Sequence, residues 1–95
     1  MAERRIAVGW AEGLHARPAA LFCRAATALG VPVTVRRGEG AAVSASSMLG
    51  VLALGAEQGD EIVLASEGDG PAERSALDRL AKLVTEGLEA LPDEA

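Results

Sequence analysis

Hydrophobic residues in the first half of the chain follow two different periods. Residues 6–10 alternate between large and small side chains, which is the period of a half-buried strand. Residues 16–29 carry apolar side chains at helical spacing, and Gly30 predicts the end of that helix. Residues 31–45 alternate again on both sides of a glycine-containing turn at 38–40. We therefore predict a strand, a helix and a β-hairpin, in this order.

The second half of the chain contains three further predicted elements. Ser46 and Ser47 are good N-cap residues for the apolar run 48–54, which predicts a short helix. Residues 61–66 predict a strand, and a turn with glycine and proline at 68–71 then leads into a final helix. The apolar stripe predicted for that helix consists of Leu77, Leu80, Ala81, Val84 and Leu88.

The predicted order of elements, βαββαβα, determines the fold class. Because helices occupy both crossovers, all the helices can cover the same face of the sheet. We predict an α+β, open-faced two-layer sandwich with a four-stranded antiparallel sheet and three helices on one face. Residues 1–95 are expected to form a single domain, in which the acidic tail 91–95 frays.

Composition and charge exclude several classes of function. The formal net charge of −5 argues against nucleic-acid binding, which needs a basic stripe. The single cysteine, Cys23, is expected to be a buried small hydrophobe, and it cannot form an intrachain disulfide. Residues 1–20 lack a signal-peptide pattern, and no stretch approaches the ~20 apolar residues of a membrane span. We expect a cytoplasmic monomer without membrane insertion.

The strongest candidate for chemistry is His15, the only histidine of the chain. It directly precedes the predicted helix, whose first N–H groups lack intrahelical partners and stabilise anions. A phosphoryl group on the imidazole would lie beside the backbone N–H groups of Ala16 and Arg17, and the Arg17 guanidinium suits phosphate oxygens. Alternatively, His15 only caps the helix and Arg17 is a solvated charge. The residue types alone leave both interpretations open.

Two segments of the sequence resemble one known protein family. The run GLHARPA at 13–19 is similar to the active-site signature of the HPr family. These proteins are the histidine-containing phosphocarriers of the bacterial phosphoenolpyruvate-dependent sugar phosphotransferase system. The run SMLGVL at 47–52 resembles the regulatory-serine region at the start of the family's second helix. The spacing, the chain length and the order of elements agree as well, so the resemblance covers roughly residues 4–88.

The resemblance implies a phosphocarrier. His15 would accept a phosphoryl group on Nδ1 from phosphorylated enzyme I and pass it to the IIA domains of sugar permeases. Arg17 would position and release that group. The protein would show no turnover alone, because its phosphohistidine is an intermediate shared by two partner enzymes. No cofactor is expected, and no His, Cys or carboxylate pair has metal-ligand spacing.

A partner-docking surface is expected beside His15. The run 48–54 is apolar nearly all round, and a short helix in a two-layer fold cannot bury every face. In the HPr family the corresponding patch borders the histidine and docks both partners. Small residues of the first helix would let a partner approach, and an arginine there is either a steering charge or a solvated one. The expected docking residues are Ala16, Ala20, Arg24, Met48, Leu49 and Leu52.

Two positions depart from the family pattern. Ser47 stands where many members have a serine that HPr kinase phosphorylates, but Ser46 replaces the basic residue that often precedes it. Ser47 is therefore a candidate regulatory site, although an N-cap role by itself explains the residue type. Glu12 stands where members commonly have a small polar residue. Its carboxylate would repel a phosphate on His15, so we expect this side chain to turn outward.

Other functions are less consistent with the sequence or are not separated by it. A purely regulatory HPr-like module would act through Ser47 and the apolar patch, but such relatives lack the histidine. An RNA-binding domain would need exposed aromatic residues and basic charge, and the chain has neither. A nitrogen-regulatory or dihydroxyacetone-linked paralogue, or a phosphotransfer domain detached from a larger enzyme, is not distinguished from the sugar relay. The sugars served are likewise not specified.

Overall fold

The order of elements is the predicted one. The computed structural model describes residues 2–11 and 13–86. Glu12, Leu88 and the tail 91–95, for which expectations were given, lie outside the described residues. The elements are β1 (Ala2–Ala7), α1 (Ala16–Leu29), β2 (Thr34–Arg37), β3 (Val43–Ser44), α2 (Met48–Leu54), β4 (Glu61–Ser66) and α3 (Pro71–Glu86).

The four strands form one antiparallel sheet in the order β1-β4-β2-β3. Successive side chains of a strand point to opposite faces, and Ile62 and Leu64 of β4 are fully buried under the helices. The other face is open, and there Val63 lies between Arg5 and Arg36 of the neighbouring strands. Long arginine stems cover apolar surface well, and Val63 is buried. The predicted open-faced α+β sandwich is confirmed.

The core lies between the sheet and the three helices. Helical periodicity predicted the buried face of α3, because residues three or four positions apart meet the sheet together. On α3, Leu77, Leu80 and Val84 are buried and Ala81 packs at the edge of the core. Phe22 of α1 is the largest fully buried side chain. The helices therefore pack on the sheet through their apolar stripes. This packing fixes the ends of α1 and α2 relative to the sheet.

The first strand is Ala2–Ala7, not residues 6–10 as predicted. It is an edge strand with one open face, and its outward positions need no apolar side chain. The inward Arg4 is also charged, and its Nε lies 2.8 Å from Oδ1 of Asp78 on α3. The apolar alternation therefore marks only the end of β1 and the loop that follows it.

The predicted hairpin 31–45 is present, but its strands are shorter than predicted. Only two residues of β2 pair with β3. Pro32 has no N–H and cannot donate to the sheet, which is one reason why the alternating run before β2 stays outside the strand. One further hydrogen bond, from Ala45 N to Val33 O at 2.8 Å, extends the connection.

The helix ends agree with the predicted signals. α1 ends at Gly30, whose φ of 72° is left-handed, and α2 begins after Ser47. None of the helices in residues 2–11 and 13–86 is both long enough and apolar enough to span a membrane.

Candidate functional site

The loop between β1 and α1 is anchored to the C-terminal end of α3. Gly9 N donates to Val84 O at 2.9 Å, and the indole Nε1 of the buried Trp10 donates to Leu83 O at 2.9 Å. Carbonyl groups in the last turn of a helix lack intrahelical donors, so they are natural acceptors for such a loop. One side of the loop that leads to His15 is therefore fixed on a helix end.

The other side of this loop is held by the segment that follows α2. Leu14 N donates to Ala56 O at 2.9 Å, and the Leu14 side chain is fully buried. Gly13 has a φ of 71°, which disfavours residues with a Cβ. A Cβ at Gly13 would also lie 2.6 Å from Ala56 O and 2.8 Å from Glu57 Cα. The loop and the segment after α2 can approach this closely only because residue 13 is glycine.

His15 is the N-cap residue of α1, and its side chain is exposed. Its backbone is extended, with φ −123° and ψ 156°, and its side chain makes no cap hydrogen bond. His15 thus occupies the N-cap position, but its imidazole does not cap the helix. A Cβ at Gly13 would lie 3.3 Å from His15 Cδ2. The imidazole therefore lies close to Gly13.

The start of α1 presents two backbone N–H groups beside His15. Pro18 has no N–H, and Ala19 N already donates to His15 O at 3.3 Å. The N–H groups of Ala16 and Arg17 are therefore the ones in the first turn without an intrahelical acceptor. The first turn contains no acidic residue, so nothing within it offsets the positive end of the helix dipole. This arrangement suits an anion attached to the imidazole.

The remaining predicted residues of α1 lie along its outer side. Arg17 and Arg24 are exposed, and Ala20 is half-buried. Arg24 follows Arg17 by seven positions, about two helical turns, so both lie close to the same side of the helix. No ion pair joins either arginine to another residue that the structure describes. The side chain of Ala16 lies outside the described residues, so its predicted docking role stays a prediction.

The docking patch, defined as Met48, Leu49 and Leu52, lies on α2. Leu49 is 82% exposed, which makes it the one large exposed hydrophobic side chain of the described residues. Met48 and Leu52 are half-buried and pack against the core. The helix that carries the docking patch contacts α1, which directly follows His15. Leu49 is therefore the member of the docking patch that the fold leaves exposed.

Ser47 is the N-cap residue of α2. Its Oγ accepts a hydrogen bond from Gly50 N at 3.1 Å, and the side chain is half-buried. Ser46 is exposed, and its Oγ lies 3.0 Å from Ser44 Oγ. The cap hydrogen bond accounts for a serine at position 47 without any regulatory role.

Two further features of the described residues bear on the chemistry. Cys23 is buried, and this burial raises the pKa of its thiol, which disfavours the reactive thiolate. Among residues 2–11 and 13–86, no group of three or more His, Cys, Asp or Glu side chains could hold a metal ion. The exposed imidazole of His15 is therefore a more available nucleophile than the buried Cys23 thiol.

Sequence reasoning missed the contacts that anchor the His15 loop. Trp10 and Leu83 are 73 residues apart, and the contact of Gly13 with Ala56 involves backbone atoms. Neither contact produces a local pattern in the sequence. The glycine at position 13 is the only local signal of the close approach.

Comparison with known proteins identifies the family. The sequence model described as PTS HPr component phosphorylation site matches residues 2–86. The chain belongs to the HPr family. The phosphocarrier protein HPr of Streptomyces coelicolor is 66% identical over 93 residues, which cover 98% of each chain. The HPr-like protein Crh of Bacillus subtilis is 35% identical over 86 residues, which cover 90% of this chain and 98% of that protein.

The solved structures agree with this assignment. The crystal structure of a phosphocarrier protein HPr from Bacillus anthracis matches with a TM-score of 0.80 at 32% sequence identity. The match covers 87% of this chain and 95% of that one. HPr proteins are the phosphocarriers of the phosphotransferase system, and the predicted family and fold are confirmed.

Proposed function

We propose that this protein relays phosphate through His15, which accepts it from phosphorylated enzyme I and donates it to IIA domains of sugar permeases. One observation carries the proposal: an exposed imidazole at the start of α1 makes no cap hydrogen bond. A histidine that the fold does not use, beside two backbone N–H groups, is available for covalent chemistry. Membership of the HPr family supports phosphate as the group carried.

The chemistry follows from the groups at the helix start. In the first transfer, the lone pair of His15 Nδ1 attacks the phosphorus held by enzyme I. A P–N bond forms here while the bond to enzyme I breaks, and the electrons of the broken bond stay with enzyme I. The N–H groups of Ala16 and Arg17, together with the Arg17 guanidinium, donate to the phosphoryl oxygens.

The second transfer reverses the first. A group on the IIA domain attacks the same phosphorus, and the electrons of the P–N bond return to His15 Nδ1. Phosphate is gained once and lost once in each cycle, so the protein has no turnover without both partners. Both transfers need the phosphorus exposed and the partner positioned within bonding distance of it.

Both partners are proposed to bind the same surface. The docking patch on α2 supplies apolar contacts, the small Ala20 leaves room for the partner, and Arg24 on the same helix supplies a positive charge. Enzyme I and the IIA domains then take turns at His15. We propose that the protein acts as a monomer in the cytoplasm, where these partners meet it.

Regulation through Ser47 stays a prediction. A phosphate there would add negative charge at the start of α2, directly beside Met48 and Leu49, and would weaken the binding of an acidic partner surface. HPr kinase is the partner that this modification would require. Incubation with a purified HPr kinase and ATP, using Ser47→Ala as the control, measures it directly.

Labelling with phosphoenolpyruvate tests the proposal. Wild-type protein and His15→Ala are incubated with phosphoenolpyruvate and purified enzyme I, and the bound phosphate is followed in acid and in alkali. We expect an acid-labile, alkali-stable phosphate on the wild type alone. An unlabelled wild type, or undiminished label on His15→Ala, would rule out the carrier function.

A further inference from the structure

A short turn between α2 and β4 is closed by the side chain of Asp60. Asp60 Oδ2 accepts a hydrogen bond from Glu57 N at 2.9 Å, and Asp60 N donates to Glu57 O at 2.9 Å. The same carboxylate oxygen lies 3.0 Å from Nη2 of Arg37, at the end of β2. The Arg37 guanidinium also donates to Leu54 O, the last residue of α2, at 3.5 Å. One carboxylate and one guanidinium thus hold both ends of residues 54–60.

The same turn contacts the His15 loop through its backbone. Ala56 O accepts from Leu14 N, and the backbone at Ala56 and Glu57 touches Gly13 closely enough to exclude any Cβ there. Cδ2 of the His15 ring lies 3.3 Å from the place that a Cβ of Gly13 would occupy, so the imidazole is close to Gly13. A continuous series of contacts therefore leads from the Asp60 carboxylate, through the backbone of the turn, to the imidazole.

The main chain joins the two segments a second time at Asp60. Val8 N donates to Asp60 O at 2.9 Å, and Gly59 N donates to Val8 O at 2.9 Å. Val8 opens the loop that ends at His15. A displacement of the turn would therefore be transmitted to both ends of the His15 loop.

We propose that Asp60 is a positioning residue for phosphoryl transfer, which acts by fixing the Ala56–Glu57 backbone under the His15 loop. This inference rests on the proposed function of His15. Arg37 orients the carboxylate, so that Oδ2 meets the Glu57 N–H. Without the carboxylate, the turn is free to move, and the imidazole loses the alignment with the phosphorus that transfer requires.

The ion pair at Asp78 provides a matched control. Arg4 Nε lies 2.8 Å from Asp78 Oδ1, so this pair also joins a strand to a neighbouring element through one carboxylate. It connects β1 with α3, and none of its hydrogen bonds involves the His15 loop or the turn after α2. Asp78→Ala therefore removes a comparable charge and ion pair without touching the proposed support.

The experiment compares Asp60→Ala, Asp60→Asn and Asp78→Ala in phosphoryl transfer from enzyme I, with kcat and KM for this protein measured separately. We expect Asp60→Ala to lower kcat about tenfold at unchanged KM, because misalignment slows the chemical step and leaves the docking patch intact. Asparagine keeps an acceptor for the Glu57 N–H, so Asp60→Asn should recover most of this loss. Asp78→Ala should transfer like the wild type.

Amide hydrogen exchange provides a second readout. In Asp60→Ala the Leu14 N–H should exchange about five- to tenfold faster, while the Ala45 N–H, which bonds to Val33 O on the hairpin, keeps its rate. If Asp60→Ala does not fold, Asp60→Asn must still show a smaller change of the same kind relative to Asp78→Ala. Equal kcat in the Asp60 and Asp78 variants, or a loss confined to KM, would overturn the inference. A wild type that takes up no phosphate would instead refute the proposed function.

Discussion

Replacing Gly13 with alanine is expected to reduce both stability and phosphoryl transfer. The new Cβ would meet Ala56 O at 2.6 Å and Glu57 Cα at 2.8 Å, whereas ordinary contact begins near 3.4 Å. Both atoms belong to the backbone, so no side-chain rotation can relieve the contact. The two segments must separate, and the hydrogen bond from Leu14 N to Ala56 O is lost.

Two effects lower the free energy of unfolding of Gly13→Ala. Alanine at a left-handed φ of 71° costs about 1–2 kcal/mol, partly offset by about 0.4–1 kcal/mol from the restricted unfolded chain. Leaving the buried Leu14 N–H without its acceptor adds about 1–3 kcal/mol. Together, these effects lower the free energy of unfolding by about 2–4 kcal/mol, which corresponds to a fall in Tm on the order of 15 °C for a domain of this size.

Gly30→Ala is the matched control. Gly30 has a φ of 72°, one degree from that of Gly13, and an added Cβ would meet nothing within 4 Å. This variant therefore carries the backbone cost alone, about 1 kcal/mol or less. Urea denaturation of both variants and of the wild type gives the two free energies of unfolding, and the difference between the variants isolates the close contact.

Transfer rates complete the comparison. Gly13→Ala should lose about tenfold or more in kcat with enzyme I, while Gly30→Ala keeps the wild-type rate, because only the former displaces the His15 loop. If Gly13→Ala were no less stable than Gly30→Ala, the segment after α2 would not be a rigid support. The account of how His15 is positioned would then be wrong.

Three further predictions follow from individual side chains. Leu49→Glu should raise KM for enzyme I about tenfold at unchanged kcat, whereas Ser75→Glu, at an exposed position of α3, should change neither constant. Equal KM values for these two variants would exclude Leu49 from docking. Ser47→Ala should lower the free energy of unfolding by about 1 kcal/mol and Ser46→Ala should leave it almost unchanged, because only Ser47 caps α2. An equal decrease in both variants would contradict the capping role of Ser47. Because burial raises the pKa of the Cys23 thiol, a thiol reagent at pH 8 should label native protein far more slowly than urea-unfolded protein. Equal labelling rates would contradict the burial of Cys23.

Most of the fold could be predicted because its signals are local. The helices α1 and α2 have apolar runs followed by glycine, and the buried strand β4 is a short apolar segment. The strand β1 was misplaced because hydrophobic alternation is weak on an edge strand with one open face. Hydrophobic periodicity reflects burial, whereas β1 is paired with β4 along its whole length, Ala2–Ala7.

Part of the candidate site could likewise be predicted from the sequence, and part could not. His15, Arg17 and the helix start lie within one short run, so their juxtaposition was predictable from helix geometry alone. The support beneath them was not predictable, because Ala56 contacts the loop through its backbone oxygen and the Asp60 carboxylate lies between a turn N–H and Arg37 of another strand. Such contacts depend on how distant segments pack, which no local pattern in the sequence indicates.

The ring nitrogens of His15 provide the most direct test of the central claim. The protein is labelled with ¹⁵N, phosphorylated by enzyme I and phosphoenolpyruvate, and studied by NMR of the imidazole nitrogens and of phosphorus. The account predicts one phosphate for each chain, bonded to Nδ1 of His15, and its loss when a IIA domain is added. Unchanged imidazole resonances in protein that carries phosphate, for example on Ser47, would contradict it.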